Sequence, residues 1–277
     1  MVDAVSTGTN RQSTNPRTAG FAPLARNVLP PILVIAGLLV VWELAFAADL
    51  LPITVPSPTQ VWAAFLTEWD DLFYHASSTI RSAAIGYLCA ALVAAALAAF
   101  AVSWPRAERG VFTFGILVDS TPLIAVAPIF MIWLGNGITL HVVTAAIAGL
   151  FPMLVGLIQG FKSADPTSRE LFHVLSATRW QVLTRLALPS ALPFIFSALK
   201  IAAPLALLGT LIAEWMGTDR GLGTMIIYAL FSFNVPLVWV GIIAVSAITA
   251  VSYGIVALAE DRIVVWHRSS SDLGAER

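Results

Sequence analysis

Glu170 lies in a polar, basic-tinged stretch of a chain that mostly avoids charge. Residues 165–193 read DPTSRELFHVLSATRWQVLTRLALPSALP, and Arg169, Glu170, Arg179 and Arg185 crowd together there between two long apolar segments. Such a segment survives beside a membrane only where water or another protein meets it, so the chemistry on offer is docking. Two short helices separated by a turn account for the pattern. Asp165 can cap the first, with Pro166 at its first helical position, where a missing N–H costs nothing. Thr178 and Gln181 have capping-box spacing for the second.

Four further ionisable residues, Glu43, Asp119, Lys200 and Glu214, fall within or at the edge of apolar segments. Charges at such depth cost several kcal/mol, roughly, and usually face protein or water. Glu43 has no basic neighbour in sequence and reads as structural. Asp119 precedes Ser120, Thr121 and Pro122 and is a candidate partner for Lys200. Lys200 itself has two readings, a structural or snorkelling cation and a neutraliser of a bound anion. His75, His141, His173 and His267 are dispersed, so a metal site is not expected. No Ser/His/Asp grouping and no G-x-x-x-x-G-K-[ST] phosphate loop appears, and no cofactor or nucleic-acid partner is expected. The single cysteine, Cys89, sits in an Ala-rich run and reads as a packing residue.

The elements that must carry these residues follow from composition. Of 277 residues, 58% are hydrophobic and 11% charged, against roughly 25% charged in soluble domains. The chain therefore belongs in a bilayer. Apolar runs predict an all-α integral membrane protein with about six spans, near 29–48, 82–103, 111–133, 138–160, 190–212 and 236–258. Residues 1–27, rich in Ser, Thr, Asn, Gly and Pro, form an expected disordered tail, 28–268 a membrane domain with a polar loop at 161–189, and 269–277 a second tail. Ala45-Phe46-Ala47 fits a signal cleavage site, but the apolar run from Leu29 exceeds the roughly 7–15 residues of such segments and reads as an uncleaved span.

With six spans, the positive charges segregate. Arg11, Arg17, Arg26, Arg106, Arg109, Lys162, Arg169, Arg179, Arg185, Arg262, Arg268 and Arg277 fall on one side; the other receives only Arg81 and Arg220, with Glu68, Asp70 and Asp71. The positive-inside rule makes both termini and the 161–189 loop cytoplasmic. Residues 49–78 read as an interfacial helix with an aromatic belt of Trp62, Phe65, Trp69, Phe73 and Tyr74. Pro122 and Pro128 in span three, and Pro204 with Gly209 in span five, free backbone carbonyls that are tolerated where helices line a cavity. Kinking for better packing is the competing reading.

The 165–193 segment resembles the EAA loop of the transmembrane subunits of bacterial ATP-binding-cassette (ABC) importers, roughly E-A-A-x-x-x-G-A followed by an aliphatic-Leu-Pro and a second Pro. Glu170 matches the acid, Leu171 and Phe172 replace the alanines, and Ser176-Ala177 stands for Gly-Ala. Leu188-Pro189 and Pro193 complete the spacing. If position 176 needs positive φ, Ser costs about 1–2 kcal/mol there; otherwise Ser176 caps the second helix. Over roughly residues 28–268, Thr121-Pro122 through Trp133-Leu134-Gly135, Ala213-Glu214 before Gly221-Leu222-Gly223, and Trp266-His267 after Arg262 resemble the nitrate, sulfonate and taurine permease branch. The resemblance implies a type I importer permease fold in the bacterial plasma (inner) membrane, a homodimer, cytoplasmic ABC ATPase subunits and an extracytoplasmic solute-binding protein. Glu170, Leu171, Phe172, Ser176, Ala177, Leu188, Pro189 and Pro193 are then the expected ATPase-coupling residues. Asp119, Pro122, Pro128, Trp133, Lys200, Pro204 and Glu214 are candidates for the translocation path. The implied solute is a nitrate-, sulfonate- or taurine-like anion or a small organic compound such as a thiamine-precursor pyrimidine. A self-contained secondary carrier or channel is the alternative.

Overall fold

A computed structural model describes residues 22–265, which are helical apart from short connections. Of the expected tail at 1–27, residues 1–21 lie outside the described residues and 22–27 are helical; the expected tail at 269–277 and Trp266-His267 also lie outside. The chain divides into two compact units, 1–59 and 60–277.

The first unit holds α1 (Ala22–Ala47) and the opening of α2 (Pro58–Thr67). Glu43 finds a partner that local sequence did not indicate. Its carboxylate accepts from the Thr59 backbone N–H at 3.2 Å and from Thr59 Oγ1 at 2.9 Å. An acid near the first turn of a helix satisfies unpaired N–H groups and suits the helix dipole. The structural reading of Glu43 holds in that form.

The second unit continues through α3 (Trp69–Ser103), α4 (Pro105–Ser120), α5 (Leu123–Leu134), α6 (Ile138–Lys162), α7 (Pro166–Val174), α8 (Arg179–Val182), α9 (Leu188–Glu214), α10 (Leu222–Phe231) and α11 (Val235–Ile263). Its centre is α6, packed most extensively on α9 and α3. Lipid supplies no hydrophobic drive between helices, so close van der Waals approach must hold them, and small residues permit it. On α6, Gly149, Gly156 and Gly160 lie against Ala202, Ala198 and Ala191 of α9; a Cβ on Gly156 would strike the Ala198 methyl. The α3 side supplies Ala90, Ala94, Ala98 and Ala101, all buried against Leu150, Met153, Leu154 and Ile158. Leading into α3, Trp62 stacks on Phe65 at 5.3 Å and Phe65 meets Trp69 edge-on at 5.1 Å.

Among the described residues α3, α6, α9 and α11 are each long and apolar enough to cross a membrane. In α1 the apolar segment Leu33–Ala47 is shorter than such a span among the described residues. The third expected span, 111–133, is not one rod. It breaks between α4 and α5 with a bend of 93°. Pro122 is the cause, because the residue before a proline is pushed out of the α region. Thr121 accordingly adopts φ −79°, ψ 120°, and its Oγ1 donates to the carbonyl of Leu117 at 2.8 Å. The helix that carries expected span five begins well before 190, since Arg179–Glu214 runs as one helical rod of 36 residues.

Candidate functional site

The segment between α6 and α9 builds the elbow that its sequence predicts. Asp165 Oδ2 accepts from the Ser168 N–H at 3.0 Å and from Ser168 Oγ at 3.1 Å, capping α7. Arg169 Nη2 reaches back to the Phe161 carbonyl at 3.0 Å and ties α7 to the end of α6. At the other end of α7, Ala177 N–H bonds the Phe172 carbonyl and Ser176 N–H bonds the His173 carbonyl, each at 3.0 Å. This is a Schellman motif with Ser176 in the left-handed position, φ 52°, where glycine is the usual occupant. Of the two readings of Ser176 the positive-φ one is found, and Thr178 is the cap of α8. Gln181 N–H donates to Thr178 Oγ1 at 3.3 Å, and Thr178 N–H donates to Gln181 Oε1 at 2.8 Å.

Beyond α8 a π-helical turn, Leu183–Ala187, leads into α9. Pro189 cannot bond the carbonyl four residues back and its ring crowds that carbonyl. One wider turn, with Leu188 N–H bonding the Leu183 carbonyl, absorbs the proline while the rod continues. Leu188-Pro189 thus sets the bulge, and Pro193 follows within α9. Glu170 is exposed on α7. Near it in sequence Leu171, Val174, Leu175 and Trp180 are 56%, 79%, 68% and 71% exposed, whereas Phe172 and Ala177 are half-buried. Glu170 and these apolar side chains are thus all presented outward on one capped elbow.

The candidate path residues separate. Pro122, Pro128 and Trp133 are exposed on or beside α5, and Pro204 is half-buried in α9; α5 packs on α6 and α9. Asp119 lies exposed at the corner of the α4–α5 break. It does not pair with Lys200, whose Nζ bonds Glu260 Oε2 at 2.6 Å. The expected span six ends at 258, which left Glu260 out of view; α11 continues past that boundary to Ile263 and so carries Glu260.

Glu214 is fully buried. Its Oε1 accepts from Thr79 Oγ1 and its Oε2 from the Gly223 N–H, both at 2.7 Å. Thr79 Oγ1 in turn accepts from the Leu222 N–H at 2.8 Å. The carboxylate therefore caps α10 and joins it to α3 and α9. Gly221, at φ 149°, brings its backbone so near that a Cβ would overlap the carboxyl carbon. His75 Nδ1 accepts from the Gly221 N–H at 3.1 Å. The Glu214-to-Gly223 motif is thus a folded joint, with Glu214 inside it and away from any open surface. Sequence reasoning missed Thr79 and His75, since no local pattern links residues 135 positions apart.

A bundle of membrane-length helices with one broken span and a rigid, exposed elbow between α6 and α9 defines a multi-pass transport subunit. The chain belongs to the family described as binding-protein-dependent transport system inner membrane component, whose model matches residues 86–265. It is 31% identical to the formylaminopyrimidine transport permease protein ThiX of Halalkalibacterium halodurans, covering 87% of this chain and 96% of that one. It is 27% identical to the putative aliphatic sulfonates transport permease protein SsuC of Bacillus subtilis, covering 88% of each. Its fold matches that of an amino acid ABC transporter solved with histidines, with TM-score 0.58 and 18% identity, over 72% of this chain and 97% of that one. The fold is that of type I ABC importer permeases, and the chain is an ABC permease; a self-contained carrier or channel is set aside.

Proposed function

We propose that this permease works as a homodimer, with cytoplasmic ABC ATPase subunits on its elbows, a solute-binding protein on the opposite face and both termini in the cytoplasm. The observation that carries this reading is the elbow: Glu170 displayed among exposed Leu171, Val174, Leu175 and Trp180, on helices fixed by caps at both ends. ATPase closure would push on α7, and the unbroken Arg179–Glu214 rod would carry the motion through the bundle as a rigid body. The broken α4–α5 pair, with Pro122, Pro128 and Trp133, and α9, with Pro204, are the proposed wall of the path. ATP hydrolysis would reside in the partner subunit.

For the solute, similarity to permeases named for a formylaminopyrimidine and for aliphatic sulfonates supports a small organic compound of that range. Lys200 lends no support to an anion, because its charge is met by Glu260.

The test is ATP-driven uptake in proteoliposomes holding the full complex. Glu170→Arg or Glu170→Pro is expected to reduce uptake to background with membrane insertion intact. Uptake at the wild-type rate by either variant overturns the coupling role.

A further inference from the structure

Arg81 and Arg220 are the two basic residues that the topology puts on the sparsely charged side. The structure brings both to one cleft of about 500 Å³, lined among others by Arg81 and Ser82 of α3, by Asn136 and His141 at the start of α6, and by Asp219 and Arg220. From this convergence we infer a binding site for a small oxyanion, a carboxylate or sulfonate group, in each protomer. The inference rests on the importer reading for its location on the extracytoplasmic side, and it places the solute's acidic group there at entry.

Four features point to an anion. Arg220 is held rigid: its Nε donates to the Tyr74 carbonyl at 3.1 Å, its Nη2 donates to Ser77 Oγ at 3.0 Å, and its guanidinium lies 3.7 Å from the centre of the Tyr74 ring. Five donors in a fixed fork leave others for a ligand. Arg81 is exposed and makes no hydrogen bond or ion pair among the described residues. The 25-residue α6 begins in the cleft, and no side chain caps its N-terminus, so its positive dipole end is open to an anion.

The fourth feature is a buried group without a partner. His141 lines the cleft, is 4% exposed, and its Nε2 has no hydrogen-bond partner. Its Nδ1 lies 3.5 Å from Ser82 Oγ. With the serine hydroxyl donating to Nδ1, the neutral ring carries its proton on Nε2 and is a donor. A buried donor left unsatisfied is costly, and an oxyanion would satisfy it. Asn136 is fixed by its Nδ2 donating to the Gly217 carbonyl at 2.8 Å. Asp219 is the one acid in the lining; it would repel a second negative charge and so favours a monovalent group. A cleft of this size suits a small organic ligand.

The probe is methanesulfonate, titrated calorimetrically into the permease–ATPase complex at constant ionic strength without nucleotide or binding protein. Saturable binding is expected; Arg81→Ala weakens it about tenfold, the loss of one charge-assisted contact, and Arg81→Lys recovers most of it. Because Arg81 is exposed, neither change threatens folding. Anion binding is read on the wild-type and Arg81 complexes without turnover, whereas coupling is read by uptake of the Glu170 variants, so the site and the coupling reading fail separately. No saturable binding to the wild type, or equal binding by Arg81→Ala, overturns the proposal. So does a wild type that binds no free anion while Arg81→Ala loses stimulation of ATPase activity by the binding protein, which would assign the arginine to protein docking.

Discussion

Thr79 and Glu214, on different helices of the bundle, meet through a 2.7 Å hydrogen bond in which the threonine hydroxyl donates to a carboxylate with no solvent exposure. The same hydroxyl oxygen accepts from Leu222 N–H, and the second carboxylate oxygen accepts from Gly223 N–H. One acid and one alcohol therefore hold α3, α9 and α10 together where membrane helices have little else to lock their rotation.

Removing one partner from such a network leaves its donors buried and unmet, at about 1–3 kcal/mol each. Thr79→Val is expected to lower stability by that amount, and Glu214→Ala by more, since it strands both Thr79 and Gly223. Gly221→Ala joins them, because its φ of 149° is accessible essentially to glycine alone and its new methyl would overlap Glu214. Thermal unfolding of the purified permease in one detergent measures all three. A Glu214→Ala variant as stable as the wild type would show that the joint does not hold the helices.

Ser176 gives a prediction of opposite sign. A serine in the left-handed region costs about 1 kcal/mol relative to glycine, and Ser176 occupies it at φ 52°. Ser176→Gly is expected to tighten the elbow, seen as slower hydrogen exchange at Ala177 and Ser176, whose N–H groups close the Schellman motif. Ser176→Val is expected to accelerate exchange there. Unchanged exchange in both variants would mean that the turn tolerates the side chain without strain.

The caps and turn of the elbow were legible because each is local, whereas the Arg169 tie to Phe161 and the π-helical turn at Leu183–Ala187 were not. The Asp165 cap, the Thr178–Gln181 box and the turn at Ser176 each act over three to five residues, so spacing alone displays them. The break at Pro122 was half legible: the proline was visible, but the size of the bend depends on how α4 and α5 pack. Pairings across the bundle were not legible. Glu260 for Lys200, Thr79 for Glu214, and Arg81 beside Arg220 depend on helix rotation and depth, which apolar composition leaves undetermined. The expected Asp119–Lys200 pair failed for that reason.

Close approach of α6 and α9 yields a third prediction. Gly156 has no room for a Cβ against Ala198, and Gly160 would place one 3.0 Å from the Ala191 carbonyl oxygen. Overpacking at such contacts costs about 1–3 kcal/mol. Gly156→Leu is therefore expected to reduce the yield of folded permease and to lower its unfolding temperature, whereas Gly37→Leu, with nothing near it in its own unit, changes neither. Equal yields from the two variants would show that the glycine stripe is not what sets the helix spacing.

Lys200 and Glu260 allow the structural and substrate roles of an intramembrane cation to be separated. Their side chains are about one-fifth exposed and their atoms 2.6 Å apart. Breaking a largely buried pair leaves an uncompensated charge, at about 3 kcal/mol, while replacing both partners with apolar residues of similar size is often neutral or stabilising. Lys200→Met alone and Glu260→Met alone are thus each expected to destabilise the protein and to lower uptake through reduced folded yield. The double variant should regain both stability and uptake per folded complex. A lysine that met the solute would behave otherwise: stability would return in the double variant and uptake would not. Measuring unfolding temperature and initial uptake rate on the same four preparations decides between them, and the 2.6 Å contact makes recovery of both the expected result.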